Sequence, residues 1–158
     1  MAIKPKKKTP LLVIGTTDHI DFPDFGMEGI GCKVDTGAST SALHCHKVRL
    51  TEKDGLPFVR FQLLDPEHPA FQKTKFHLPL YRERQVKNSF GQTEMRYSIK
   101  TRIFLFGQTY AVEFTLADRA KMRYPVLLGS RFLRNKFVVD VSQKDLSLQL
   151  KNQTTLSP

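Results

Sequence analysis

The residues with the clearest chemical potential form a short run in the first quarter of the chain. Asp35, Thr36 and Gly37 follow residues 32–34, which predict a buried strand that ends on a tight loop. Gly37 lets the backbone turn and leaves the Asp35 carboxylate approachable from one side. The hydroxyl groups of residues 39–41 can fix such a loop or hold a carboxylate ionised. An ionised carboxylate there can activate a water molecule, but the same tripeptide is also an ordinary turn between strands.

A second feature, far downstream, distinguishes these two interpretations. Tyr124–Leu128 predicts a buried apolar strand, Gly129 follows it, and residues 130–135 predict a single helical turn. Asp-Thr-Gly-Ala combined with a hydrophobic-hydrophobic-Gly segment resembles the signature of the retropepsin-like aspartic proteases. The longer motifs are similar to those of a bacterial branch often labelled ATP-dependent zinc protease. They read Lys-Val-Asp-Thr-Gly-Ala-x-Thr-Ser-Ala-Leu-His and Tyr-Pro-x-Leu-Leu-Gly. The resemblance covers about residues 11–150.

The resemblance implies a role for each part of the two motifs. The implied catalytic residues are Asp35, Thr36 and Gly37, the implied substrate-binding residues are Ala38, Ser89, Phe90 and Gly91, and the implied supporting residues are Leu127, Leu128 and Gly129. Aspartic peptidases need two carboxylates that share one proton. Because the chain has a single Asp-Thr-Gly, the resemblance implies a homodimer in which each copy supplies one Asp35. The Thr36 hydroxyls would then hydrogen-bond across the two loops.

The polar segment 84–97 predicts a β-hairpin with its tip at residues 88–92. A polar hairpin with a glycine at its tip is typical of a surface loop. In the element order of the resembling family, however, this position belongs to the flap, which closes over substrate and excludes water. The resemblance therefore implies that the tip near Phe90 and Gly91 covers the Asp35 site.

The run His44-Cys45-His46, with Cys32 as a fourth residue, suggests a metal cluster. Neighbouring residues of a strand point to opposite faces, so three consecutive ligands would be awkward. The sequence has no His-Glu-x-x-His, no Cys-x-x-Cys, no calcium-loop spacing and no phosphate-binding Gly-x-x-x-x-Gly-Lys motif. The residues therefore predict no metal and no cofactor, and the two cysteines are expected to be buried, reduced thiols.

Strand patterns dominate the rest of the chain. Alternation of apolar and polar residues is cleanest over 95–105 and 110–116, and Gly107-Gln108 between them predicts a type II′ turn. Residues 16–29 predict a loop, while 137–141 and 146–150 predict a closing hairpin. The predicted fold class is all-β: a retropepsin-like closed β-barrel with one short C-terminal helix.

Length and charge limit the organisation and the partners. The 158 residues predict a disordered basic tail over 1–10, one domain over 11–150 and a frayed tail over 151–158. The formal net charge of +10 favours acidic partners, yet no nucleic-acid-binding module accompanies it, so nucleic acid is not predicted as a partner. The expected partners are a second copy and a peptide or protein substrate. No run has the length of a membrane helix, and the protein is expected to be cytoplasmic.

Two functions remain open from the sequence. The first is a homodimeric aspartic endopeptidase. The alternative is a non-catalytic module on the same fold, whose groove holds acidic protein tails. Members of the resembling family are often associated with a glutamate ligase, which implies that such tails are glutamylated.

Overall fold

Strands account for most of the chain in the computed structural model, which describes residues 10–87, 90–118 and 123–156. In chain order the elements are β1 (Leu12–Ile14), β2 (Thr17–Phe22), a 3₁₀ helix (Pro23–Phe25), β3 (Met27–Val34), β4 (Ser41–Lys53), β5 (Leu56–Leu63), β6 (Lys75–Pro79), β7 (Arg82–Lys87), β8 (Thr93–Leu105), β9 (Gln108–Ala117), β10 (Val126–Leu128), α1 (Ser130–Leu133), β11 (Phe137–Val139) and α2 (Leu146–Leu156).

The strand pairings form a ring. β10, β3, β2, β8, β9 and β4 are neighbours in that order, and β10 also pairs with β4, so the path returns to its start. β5 and β6 extend the sheet beyond β4, β7 pairs with β8, and β1 and β11 form a separate parallel pair. The all-β prediction is confirmed, and the predicted closure takes the form of this ring. Its effect is to bring β3 and β10, which are distant in sequence, side by side.

Alternate residues of the ring strands fill the interior. Phe22, Phe61 and Phe114 are fully buried, and the rings of Phe22 and Phe114 lie 5.8 Å apart. Burying an aromatic side chain of this size stabilises a fold by about 1.5–3 kcal/mol. Ile30, Cys32 and Val34 of β3 belong to the same cluster, and the core therefore fixes the strand that leads into the Asp35 loop.

The loop predicted over residues 16–29 is wrong, because this segment contains β2 and the start of β3. Asp18, one of the acidic residues of this segment, is fully buried in β2. The Asp18 carboxylate accepts hydrogen bonds from the backbone N–H groups of Ser147 (2.9 Å) and Leu148 (3.1 Å), at the start of α2. A buried carboxylate with such partners is compatible with a strand.

The predicted closing hairpin is also wrong. β11 pairs in parallel with β1, and the residues predicted as its partner strand, 146–150, open helix α2. The Asp18 carboxylate accepts hydrogen bonds at the start of this helix, and the Ser147 hydroxyl there also accepts a 2.8 Å hydrogen bond from the Phe106 N–H. The predicted domain boundary at residue 150 falls inside α2. Within the described part of the chain two helices follow β10, where one was predicted.

Two local predictions need smaller corrections. The turn between β8 and β9 consists of Phe106 and Gly107, both at positive φ (52° and 69°), which defines type I′ and not the predicted type II′. The helical turn predicted over residues 130–135 is present as α1, which covers Ser130–Leu133 and has Gly129 at its N-cap position. Residues 1–9 of the predicted basic tail lie outside the described residues.

Among the residues that the structure describes, no helix has both the length and the apolar character needed to cross a membrane.

Candidate active site

Asp35 occupies the point where β3 ends beside β10. The two strands are parallel, with Val34 paired to Leu128. The Asp35 N–H donates a 2.9 Å hydrogen bond to the Leu128 carbonyl, and its Oδ1 accepts one of 3.0 Å from the Gly37 N–H. Asp35 is half-buried, whereas Thr36 and Gly37 are exposed. The local sequence thus places a backbone-anchored carboxylate on a loop that is open on one side.

Gly129 lies directly against the far side of this loop. A Cβ at position 129 would lie 2.8 Å from the carbonyl carbon and oxygen of Thr40 and 2.9 Å from the Ala38 oxygen. The Gly129 N–H donates to the buried Ser41 hydroxyl (3.0 Å), and the Ser130 N–H donates to the Ala38 carbonyl (2.8 Å). The structure therefore brings the supporting residues predicted from the second motif into contact with the loop of the first.

A cleft of about 940 Å³ opens over the Asp35 loop. Its floor includes Asp35, Gly37, Ala38 and Leu127, and its opposite wall belongs to the β7–β8 hairpin and includes Phe90. Phe90 is 88% exposed. The hairpin predicted from the sequence is present, and it faces the loop. Ser89 lies outside the described residues, and Gly91 is exposed at the tip with φ 77°.

Positive side chains dominate the charged lining of this cleft. The cationic residues are Lys33, Arg84, Lys87, Arg96 and Arg131, against the acidic residues Asp35, Glu94 and Asp118. Arg84 donates two hydrogen bonds to Glu113, from Nε (2.9 Å) and from Nη2 (2.8 Å). This bidentate contact is the main reason why the pKa of Glu113 lies below its usual range. It also ties the base of the hairpin to β9.

A second, smaller cleft of about 370 Å³ shares Arg84, Arg131 and Thr40 with the first. It adds the cations Arg82, Lys100, Arg134 and Lys136. None of these four cations was predicted as a site residue. Their basic character is visible in the sequence. That they lie on one wall follows from the strand order, which the alternation within each strand does not give.

The histidines of the rejected metal cluster lie on one face of β4. One ligand atom from each of His44, His46 and Asp65 lies within 4.8 Å of the other two. Cys45 points to the core and is fully buried, which raises the pKa of its thiol to about 12. Cys32 is buried as well, and both cysteines are free, as expected. Cys45 therefore does not join the two histidines, and Asp65, the third member of the group, was not predicted from the sequence.

A ring of β-strands that presents one Asp-Thr-Gly loop beside a strand ending in glycine defines a retropepsin-like protein. Residues 13–149 match the family described as "Retropepsin-like aspartic endopeptidase RimB", and the chain belongs to this RimB-like family. A solved structure of a Legionella pneumophila protein of unknown function has the same fold. Its TM-score is 0.70 at 23% identity, and the match covers 86% of this chain and 98% of that one.

The chain is also similar to part of several longer proteins. It is 36% identical over 135 residues to a protein of Shewanella pealeana named "Probable alpha-L-glutamate ligase", covering 83% of this chain and 29% of that protein. A protein of Desulfotalea psychrophila with the same name is 29% identical over 128 residues, covering 81% of this chain and 28% of the relative. The chain thus spans less than a third of the length of these relatives.

Proposed function

We propose that the chain is a homodimeric aspartic endopeptidase that cleaves peptide bonds with a water held between two Asp35 carboxylates, one from each copy. The observation that carries the proposal is the position of Asp35. It lies half-buried at the floor of a cleft of about 940 Å³, anchored by Leu128 and Gly37. Membership of a family of retropepsin-like aspartic endopeptidases supports the same assignment.

The proposed hydrolysis depends on two Asp35 carboxylates that lie close together. Two adjacent carboxylates cannot both ionise easily, so the pair holds one proton and titrates as a unit. The ionised Asp35 takes a proton from water as the water oxygen attacks the scissile carbonyl carbon, while the protonated Asp35 donates a hydrogen bond to the carbonyl oxygen. When the tetrahedral intermediate collapses, the C–N bond breaks and the leaving nitrogen receives a proton from the pair.

Exposed apolar side chains on the β1–β11 pair support self-association. Val13 and Val138 are register partners, and both are about half exposed (48% and 50%). Leu11 and Val141, next to these strands, are 47% and 80% exposed. A group of large apolar side chains in contact with water favours a covering partner. In the proposal this partner is a second copy, which the single Asp-Thr-Gly requires.

The basic lining of the two clefts supports an acidic substrate. Arg84 and Arg131 line both clefts, so a peptide that lies across them would pass several cations in sequence. Glutamate side chains on the substrate would complement this charge. The relatives named "Probable alpha-L-glutamate ligase" support protein tails that carry added glutamate as the substrate class.

The β7–β8 hairpin is proposed to act as the flap. Its tip residue Phe90 and its strand residues Gln85 and Val86 line the cleft opposite Asp35. Movement of the tip toward the loop would exclude water from the reacting carbonyl. The Arg84–Glu113 contact would hold the base of the hairpin while the tip moves.

A non-catalytic module that holds acidic tails is the second candidate, and the basic clefts favour it equally. The two functions differ in what happens after binding. An enzyme releases a shorter peptide, and a module returns the peptide intact. Wild-type protein that binds a glutamate-rich peptide without cleaving it would select the module.

The test of the enzyme is Asp35→Asn, which keeps the shape of the side chain and removes the ionisable carboxylate. We expect the variant to fold and dimerise but to lose roughly 10³-fold or more in cleavage of a glutamate-rich peptide. Asp54→Asn is the matched control, because Asp54 is an exposed turn residue between β4 and β5. This control variant should cleave like the wild type.

Mixing experiments test the shared pair directly. After full subunit exchange at equal concentrations, about a quarter of the dimers carry two wild-type chains, so activity should fall to about a quarter. Dimer content is checked by sedimentation. Activity that falls only in proportion to the wild-type fraction would mean that each chain works alone, which contradicts the proposal.

A further inference from the structure

Three side chains of metal-binding type meet on the face of β4 that points away from the Cys45 side. His44 and His46 are two residues apart in the strand, so their rings project from the same face. Asp65 reaches them from the segment that follows β5, and its Oδ1 lies 2.8 Å from His44 Nε2. Two ligands of one tetrahedral ion, each about 2 Å from the metal, lie roughly 3.3 Å apart. A small local adjustment would admit an ion between them.

His46 carries an independent sign that this cluster lacks a partner. Its Nδ1 is buried and has no hydrogen-bond partner among the described residues. A buried ring nitrogen without a partner is rare in folded proteins and calls for an explanation such as an ion or a water molecule. The ring is also held in place, because it stacks on Phe71 with an interplanar angle of 18°.

The surroundings of His44 resemble an outer coordination shell. The His44 side chain is only 3% exposed, and its second nitrogen, Nδ1, lies 3.9 Å from Asp118 Oδ1. A histidine that binds metal through one nitrogen commonly has a carboxylate near the other, which orients the ring and raises its basicity. Asp118 lines the cleft over Asp35, so the cluster adjoins that cleft.

A second cluster of similar composition, Asp18, His19 and Asp145, provides a comparison. There the Asp18 carboxylate already accepts backbone N–H groups from His19, Ser147 and Leu148. Its oxygens are committed to the start of α2, and the cluster contains one imidazole. The cluster on β4 offers two imidazoles and a carboxylate, that of Asp65, which contacts another member of the cluster, His44.

We propose that His44, His46 and Asp65 bind one divalent transition-metal ion, of which Zn²⁺ is the representative. Two imidazole nitrogens and a carboxylate oxygen suit Zn²⁺, Co²⁺ or Ni²⁺ rather than Ca²⁺ or Mg²⁺, which prefer all-oxygen sites. The ion ties β4 to the loop 65–74 between β5 and β6. Its role is structural, it is separate from the chemistry of Asp35, and three protein ligands leave a fourth position for water.

The test uses the full chain after treatment with a chelator. Titration with ZnCl₂ followed by calorimetry should give one ion per chain, and CoCl₂ should give the visible absorption of a tetrahedral Co²⁺ site. At a free zinc concentration about 100 times the Kd, we expect the Tm to rise by roughly 5–10 °C. His46→Gln and Asp65→Asn should each weaken zinc binding by at least about tenfold.

His19→Gln is the matched control, because His19 belongs to the other cluster, where its buried Nδ1 has no hydrogen bond and lies 3.4 Å from Asp145 Oδ1. It should bind zinc like the wild type, and so should Asp35→Asn, which separates this proposal from the peptidase assignment. The proposal is overturned if wild-type protein binds no zinc, or if His46→Gln and Asp65→Asn bind it unchanged. Loss of binding in His19→Gln would equally overturn it, since the ion would then lie at the other cluster.

Discussion

The substitution Gly129→Ala tests how the Asp35 loop is held in place. The new Cβ would lie 2.8 Å from the carbonyl carbon and oxygen of Thr40 and 2.9 Å from the Ala38 oxygen. These are backbone atoms, so no side-chain rotation can relieve the overlap. Because ordinary contacts begin near 3.4 Å, the loop must move by roughly 0.6 Å. That movement lengthens the hydrogen bond from the Gly129 N–H to Ser41 and the one from the Ser130 N–H to Ala38.

We expect this variant to lose about 1–3 kcal/mol of unfolding free energy, the usual cost of overpacking. Since a misplacement of 1 Å in an active site costs about 10²-fold, cleavage should fall by roughly 10- to 100-fold. Gly31→Ala in β3 is the matched control, because its Cβ would meet only the Tyr124 ring, at 3.4 Å. Urea denaturation and peptide cleavage are measured on both. If the two variants behave alike, the contact between Gly129 and the loop does not support the site.

Two further predictions concern other parts of the molecule. Hydrogen bonds from Arg102 are the main reason why the pKa of Asp24 is lowered to about 2. Asp24→Asn should therefore lower the free energy of unfolding by about 1 kcal/mol at neutral pH, after allowance for solvent screening. A lowered pKa means that the stabilisation is present above about pH 4 and is lost as the pH falls toward 2. Denaturation curves of both proteins should therefore converge in acid, and a constant difference would contradict the origin of the shift. In hydrogen exchange, residues 90–97 should be protected by a bound glutamate-rich peptide while the Phe106–Gly107 turn is unaffected, and equal protection of 90–97 with and without peptide would reduce the hairpin to an ordinary loop.

The parts of the site that follow from local sequence were predicted well. The loop and its support could be assigned before their contact was known, because each has turn-forming residues of its own. The loop has Asp-Thr-Gly after a buried strand, and the support has Gly129 after an apolar strand. The hairpin over 84–97 was likewise predicted from its two polar segments and its glycine tip, and it appears as β7 and β8. Its position opposite Asp35 came from the family resemblance.

The errors share a different physical origin. Residues 146–150 have the composition of a strand, but Asp18, nearly 130 positions earlier in the chain, accepts the N–H groups at the start of α2. Asp65 approaches His44 because β4 and β5 are antiparallel with Cys45 paired to Leu63, so the chain that leaves β5 passes beside His44. Contacts of this kind depend on strand order and register, which single-sequence periodicity does not contain.

The carboxylates that line the cleft bear on the proposal that a second copy supplies the partner of Asp35. Besides Asp35, the described lining contains two acidic residues, Glu94 and Asp118. Glu94 forms a salt bridge with Arg96, and Asp118 lies 3.9 Å from a ring nitrogen of His44. Each therefore lies beside a basic side chain of the same copy. A second Asp35 would arrive on an identical loop and divide the proton evenly, so the activity of mixed dimers should follow the square of the wild-type fraction.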